Sequence, residues 1–180
     1  MDADLERQLV NLLAERDIYD VLVRYCRAVD RCDQELLSTC FHPDAVDDHG
    51  SWVCTGRDSP EHIVSRLGAD SASAMHFLGN VRIEMATDDR AYVESYLLAF
   101  RAFSREERPH TRTRALRFVD RFERRDGQWR VSERVVVDDW SRIDAVVEEM
   151  AEAHQFRHGS KDRSDPVYGI QRGRIAREPD

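Results

Sequence analysis

Long apolar runs, glycine-rich loops and regularly spaced cysteines are missing from this sequence, and each absence closes off a class of protein. The longest apolar stretches, such as Val135-Val136-Val137, fall far short of the roughly 20 residues that cross a bilayer, so no membrane-spanning helix and no membrane partner are expected. The opening Met1-Asp2-Ala3-Asp4-Leu5-Glu6 has neither a basic lead nor an apolar stretch, which points away from a secretory signal and toward a cytoplasmic location. Only eight glycines are present, and they are scattered: no GxGxxG, no Walker loop and no GxSxG elbow occurs. Chemistry without a cofactor is expected. The four cysteines, Cys26, Cys32, Cys40 and Cys54, are spaced too irregularly for zinc and read as ordinary reduced thiols. A net basic charge is lacking too. Against 27 basic side chains stand 35 acidic ones, a net of -8, which argues against a nucleic-acid partner. Arginines do collect between Arg105 and Arg125, but they alternate with Ala115, Phe118, Val119 and Phe122 as on the solvent face of strands.

With 180 residues the chain can bury one real core without disulfides or structural metal, and a single domain over residues 1–158 is expected, followed by a tail at 159–180. Apolar residues recur at helical spacing from about Asp4 to Val29 (Leu5, Leu9, Leu12, Leu13, Ile18, Leu22, Tyr25), predicting a long first helix. Asp33 can cap a short second helix. Phe41-His42-Pro43-Asp44-Ala45 reads as a turn into a strand spanning about Ala45 to Cys54, and Ser59-Pro60-Glu61 opens a third helix reaching about Leu67. From Ala74 the period drops to two, with turn chemistry at Thr87-Asp88-Asp89, Glu107-Arg108-Pro109 and Arg125-Asp126-Gly127, which predicts four meandering strands. A short helical pattern follows over Ile143 to His154. Helices first and strands after predict an α+β fold: a cone-shaped barrel of curved antiparallel sheet, its N-terminal helices packed over the concave face.

On a wheel of the first helix, Arg16, Asp17, Asp20, Arg24 and Arg27 form the polar arc. Asp30 falls instead on the apolar side, beside Tyr19 and Val23. A buried carboxylate needs a partner, although an acid at a helix end can equally remain in solvent. His76, between Met75 and Phe77, is the candidate partner; a carboxylate on one imidazole nitrogen fixes the tautomer and frees the other to remove a proton. Alone, such a histidine reads more readily as a core or surface residue. Strand parity sets His76 with Arg82 and Glu84 rather than with Val81, Ile83 and Met85, so one inserted residue is needed to turn it inward; Leu78-Gly79-Asn80 is the candidate bulge. His42 and His49, with Asp44, Asp47 and Asp48 between them, lack a compact ligand spacing, and no metal site is assigned.

The order of these elements resembles the SnoaL-like branch of the nuclear-transport-factor-2-like superfamily over roughly residues 5 to 145. The motifs that carry it are Arg24-Tyr25-Cys26-Arg27-Ala28-Val29-Asp30, Phe41-His42-Pro43-Asp44-Ala45, Met75-His76-Phe77-Leu78-Gly79-Asn80 and the hairpin around Asp126-Gly127. Within that branch the chain looks most like the group holding scytalone dehydratase, hexachlorocyclohexane dehydrochlorinase and bile acid 7α-dehydratase. The resemblance implies a cofactor-independent lyase or isomerase acting on a hydrophobic cyclic substrate such as a steroid, polyketide or aromatic-derived ring. His76 would be its base and Asp30 would orient it. Tyr25 and His49 would polarise a carbonyl or pass a proton to the leaving group, with Tyr96 an alternative donor. Arg134 would balance developing anionic charge, and Phe77, Leu98, Phe100 and Trp140 are candidate apolar walls. His49 stands where dehydratase relatives commonly carry a tyrosine. The same cone also serves as a non-catalytic subunit of ring-hydroxylating dioxygenases, which is the rival reading, and relatives assemble as homo-oligomers, trimers or dimers, across their sheets.

Overall fold

Asp2 starts the first helix, its side chain accepting from the backbone N–H of Asp4 at 3.2 Å, and α1 then runs unbroken over Ala3–Asp30. The computed structural model describes residues 2–70 and 73–170. Ile18, Val21, Leu22, Tyr25 and Val29 are buried at the i, i+3, i+4 spacing of one helix face. Tyr19 and Val23, expected on the apolar arc, are exposed, as are Leu5, Leu9, Leu12 and Leu13 in the first turns.

After α2 (Gln34–Ser38), N-capped by Asp33, come β1 (Phe41–Asp48), β2 (Val53–Thr55) and α3 (Ser59–Asp70). Four long strands follow: β3 (Ser73–Thr87), β4 (Arg90–Arg105), β5 (Arg108–Arg125) and β6 (Gln128–Ala145). A single 3₁₀ turn (Ala153–Gln155) and α4 (Val167–Ile170) end the described chain. The sheet has the order β2-β1-β6-β5-β4-β3 and is curved but not closed. Its concave face meets α1 through Val93, Leu97, Leu116, Phe118, Phe122 and Val131.

The expected α+β architecture is present, with corrections in its details. The sheet is mixed, because β1 pairs with β6 in parallel. After β1 the chain passes through β2 and α3 to the far edge of the sheet and returns by three hairpins, so β6 arrives beside β1 pointing the same way. The segment Phe41–Ala45 is the start of β1 rather than a turn; its register against β6 slips between Phe41 and Val46, an irregularity that accommodates Pro43, which has no N–H to donate. No α-helix covers Ile143 to His154: β5 extends far enough for β6 to keep pairing up to His110↔Ala145, and only the 3₁₀ turn reaches into the end of that stretch.

Part of the segment expected as a tail packs against the α1–α2 junction. Asp165 pairs with Arg31 at 3.1 Å, and the Tyr168 hydroxyl donates to Asp33 at 2.9 Å. The tail's last ten positions, 171–180, lie outside the described residues. Among the described residues no helix is long and apolar enough to cross a membrane.

Two local backbone features shape the long strands. Asp126 and Gly127 both take positive φ, 51° and 74°, the geometry of a tight turn between β5 and β6 that matches strand twist. In the β3–β4 pair the register runs in step to Leu78↔Leu97 and resumes at Val81↔Ser95, so Gly79 and Asn80 together oppose Tyr96. This two-against-one bulge reverses the alternation: Ala74, His76 and Leu78 face inward before it, and Val81, Ile83 and Met85 after it. A Cβ on Gly79 would approach the Tyr96 carbonyl oxygen to 3.2 Å.

The core also contains a charged pair. Arg134 on β6 and its cross-strand partner Asp120 on β5 are fully buried and joined by two hydrogen bonds of 2.8 and 2.7 Å, with the guanidinium against the rings of Phe118 and Tyr25. Removing one partner strands the other charge in the core. Asp120→Ala is therefore expected to lose about 3–5 kcal/mol in urea denaturation, and the double change Arg134→Met with Asp120→Leu substantially less.

Candidate active site

Asp30 closes α1 with its carboxylate buried, 8 % of the residue remaining exposed. At a helix C-terminus the backbone dipole disfavours an anion, and burial adds a desolvation cost, so this position demands donors from another element. One residue of β3 supplies two. The His76 backbone N–H donates to Oδ2 at 2.9 Å, and its ring Nδ1 lies 2.7 Å from Oδ1. An ionised carboxylate only accepts, so Nδ1 carries the proton and Nε2 is left as the basic nitrogen. The bulge at Gly79–Asn80 is what turns this ring inward.

His76 lines a cavity of about 340 Å³, at the lower end of the range for small-molecule sites. Tyr25 and Val29 of α1, Trp52 of the β1–β2 turn, Ile63 and Leu67 of α3 and Ala99 of β4 form much of its wall. His49, just past β1, is a second histidine on the same cavity, stacked on Trp52 with centroids 3.9 Å apart. Its Nε2 lies 3.1 Å from Oδ1 of Asp47, within ion-pair distance although not aligned as a hydrogen bond. Asp47 is fully buried, and Ser59 Oγ donates to its other oxygen. Burial opposes the charge on Asp47, but His49, Arg134 and the Ser59 hydroxyl outweigh it and hold the carboxyl below its usual range. Two carboxylate-backed imidazoles thus border one space, held by α1, β1 and β3.

Tyr25 lines this cavity from α1, edge-on to Phe41 and Phe118, and burial first, then Asp47, pushes its phenol well above the ordinary value. Arg134 does not line the cavity. It lies against the Tyr25 ring, 4.3 Å from the centroid, with Asp120 holding it, so its influence passes through that tyrosine. Phe77, Tyr96, Leu98 and Trp140, expected at the pocket, are on the sheet's outer face and well exposed. Strand alternation gives the reason: with His76 inward its neighbour Phe77 must point outward, and Leu98, Ala115 and Trp140 continue that row across the sheet. Phe100 does border the cavity.

Asp47 and Trp52 had no part in the expected site, yet Asp47 and His49 are two apart, the spacing of one strand face. Arg66, Arg101, Arg112, Arg114 and Asp138 also line the cavity. Arg112 and Arg114 share the parity of Leu116 and Phe118, and extending that inward pattern back along β5 would have found them. Among the described residues no three His, Cys, Asp or Glu side chains converge as metal ligands; His42 turns away to the Glu123 carbonyl at 2.9 Å. Burial pushes the thiols of Cys26 and Cys40 up to about 12 and about 11, which suits inert packing.

A family model described as a SnoaL-like domain matches residues 10–135. No curated protein matches the chain. Among solved structures, a candidate scytalone dehydratase from Novosphingobium aromaticivorans superposes with a TM-score of 0.68 at 22% identity, covering 75% of this chain and 90% of that one. A type 2 hexachlorocyclohexane dehydrochlorinase gives a TM-score of 0.72 at 18% identity, over 81% and 99% of the two chains. The β subunit of a candidate aromatic-ring-hydroxylating dioxygenase from N. aromaticivorans gives 0.60 at 22% identity, over 73% and 92%. At these identities the likeness is one of fold.

Because the folded protein holds the Asp47 carboxyl below its unfolded value of about 3.9, ionised Asp47 adds stability above that pH, and the contribution is lost as pH falls through the lower folded value. Asp47→Asn is expected to be less stable than the parent at neutral pH, with the gap closing below about pH 4. Urea midpoints across a pH series measure this.

Proposed function

The chain belongs to the SnoaL-like domain family, and from that membership and the His76–Asp30 geometry we propose a cofactor-independent lyase of the dehydratase type, or an isomerase, acting on a hydrophobic cyclic substrate. The observation that carries the reading is the 2.7 Å contact between Asp30 and Nδ1 of an imidazole that lines the cavity. His76 Nε2 takes a proton from a ring carbon activated by a neighbouring carbonyl, and Asp30 stabilises the imidazolium that forms. In an elimination the C–H electron pair becomes the new double bond as hydroxide leaves, and His49 supplies the proton that makes it water. In an isomerisation the proton returns to a different carbon. Tyr25 donates to the carbonyl oxygen from the cavity wall.

Solvent exchange tests proton abstraction without knowledge of the natural substrate. With 1-tetralone in D₂O, deuterium is expected at the carbon beside the carbonyl faster than in buffer. His76→Ala and Asp30→Asn should each slow the exchange by about 10²–10⁴-fold. Exchange no faster than buffer, or unaffected by His76→Ala, would instead support the non-catalytic scaffold reading named for the dioxygenase subunit.

The outer face of the sheet supports self-association. Phe77, Leu98, Ala115 and Trp140 form one cross-strand row, with Met75 and Tyr96 beside it, and Phe77 and Trp140 are more than half exposed. An apolar sheet surface of this kind is covered when two copies meet. Light scattering is expected to give two or three times the 21.0 kDa chain mass, and Phe77→Glu with Leu98→Glu to return the monomer.

A further inference from the structure

Like charges directly opposite one another on antiparallel strands repel, and they draw counter-charge to the face that carries them. Arg101 on β4 and Arg112 on β5 are such a pair, in register and both lining the cavity. The next inward row along the same strands is His76, Ala99, Arg114 and Ser141, so a third guanidinium stands beside the first two. Arg114 is two strands from His76, which sets their Cα atoms about 10 Å apart at the usual strand spacing. Arg66 joins the lining from α3, and among the described residues Asp138, 3.3 Å from Arg114, is the acid in that lining. Among the described residues Arg112 makes no ion pair. Burial, followed by the neighbouring Arg101 and Arg114, lowers its proton affinity. Cationic charge is thus gathered on one cavity of a chain whose net charge is -8.

We propose that the cavity takes an anionic substrate, its carboxylate or phosphate group held by Arg101, Arg112 and Arg114 while the ring system reaches His76. This deepens the reading of His76 as a base and rests on it for the word substrate. A guanidinium is a planar fork that matches either oxyanion bidentately, and an anion at Arg112 supplies a paired counter-charge that no described residue gives this side chain. The spacing to His76 acts as a ruler. It suits a molecule of one or two fused rings whose reacting carbon lies at the opposite end from the charge, in keeping with a cavity of about 340 Å³.

The test is binding of three probes of one shape, 2-naphthoate, 2-naphthyl phosphate and neutral 2-naphthamide, followed by calorimetry and by quenching of tryptophan fluorescence, with Trp52 in the wall. At least one of the two anions is expected to bind about tenfold or more tightly than the amide, and whichever binds better identifies the oxyanion. Arg112→Gln should erase that preference by weakening anion binding far more than amide binding, and Arg112→Lys should keep part of it. Thermal melts establish that both variants are folded. Amide binding as tight as either anion, or a preference untouched by Arg112→Gln, overturns the anion site and leaves the proton-exchange test of His76 as it was. Anion binding that depends on Arg112 together with no exchange on 1-tetralone overturns the lyase reading and leaves an anion-binding cavity. If none of the three probes binds, the anion site is overturned, and exchange on 1-tetralone decides the reading of His76 by itself.

Discussion

A carboxylate in the last turn of a helix, buried, is opposed by the helix dipole and by desolvation together. Asp30 persists there because His76 meets it with two donors, one from the backbone and one from the ring. That contact ties the end of α1 to the start of β3, and much of the cavity is arranged around it. Loss of the imidazole would leave a buried anion with one backbone donor, Arg31 reaching only the Asp30 backbone carbonyl oxygen. The interaction fixes the tautomer of the ring and docks the helix on the sheet at once, so site geometry and tertiary packing are one constraint here.

Charge is layered beneath the cavity in an ordered way. Arg134 and Asp120 neutralise each other deepest in the core, with Tyr25 above them and Asp47 nearby on β1. Asp47 in turn faces His49, and His49 and Tyr25 reach the cavity wall. Removing a buried polar group at any level exposes the next to an unpaired neighbour, and networks of this kind are costly to satisfy in part. The arginines of β4 and β5 differ in kind: Arg101, Arg112 and Arg114 gather at the cavity, and among the described residues Asp138 is the acid that lines it alongside them.

What could be read from the sequence depended on whether the governing interaction was local. The helix over Ala3–Asp30, the Asp33 cap and the Asp126-Gly127 turn follow from residues near one another in the chain, and all three are present. The bulge was legible because a glycine interrupted a strand whose alternation would otherwise have turned His76 outward. Pairing of β1 with β6 was not, since a parallel neighbour leaves no mark on either segment alone and Pro43 argued for a turn. Continuation of β6 to Ala145 was hidden for the same reason: its partner is the far end of β5. Residue type alone sends Arg112 and Arg114 to solvent although their parity places them inward, and it draws the aromatics Phe77 and Trp140 toward the pocket against theirs.

The parallel join between β1 and β6 also governs the order in which the protein can assemble. Phe41 leaves the ribosome long before Val131, the residue beside which it must lie, and until then one edge of β1 has only open backbone. The Asp30–His76 contact can form as soon as β3 has emerged, whereas β1, which bears Asp47 and leads into His49, takes its place only after translation has passed β6. A nascent chain stalled between those points would present one of the cavity's two carboxylate-backed imidazoles and an unsealed sheet margin, the condition in which chaperones find their clients.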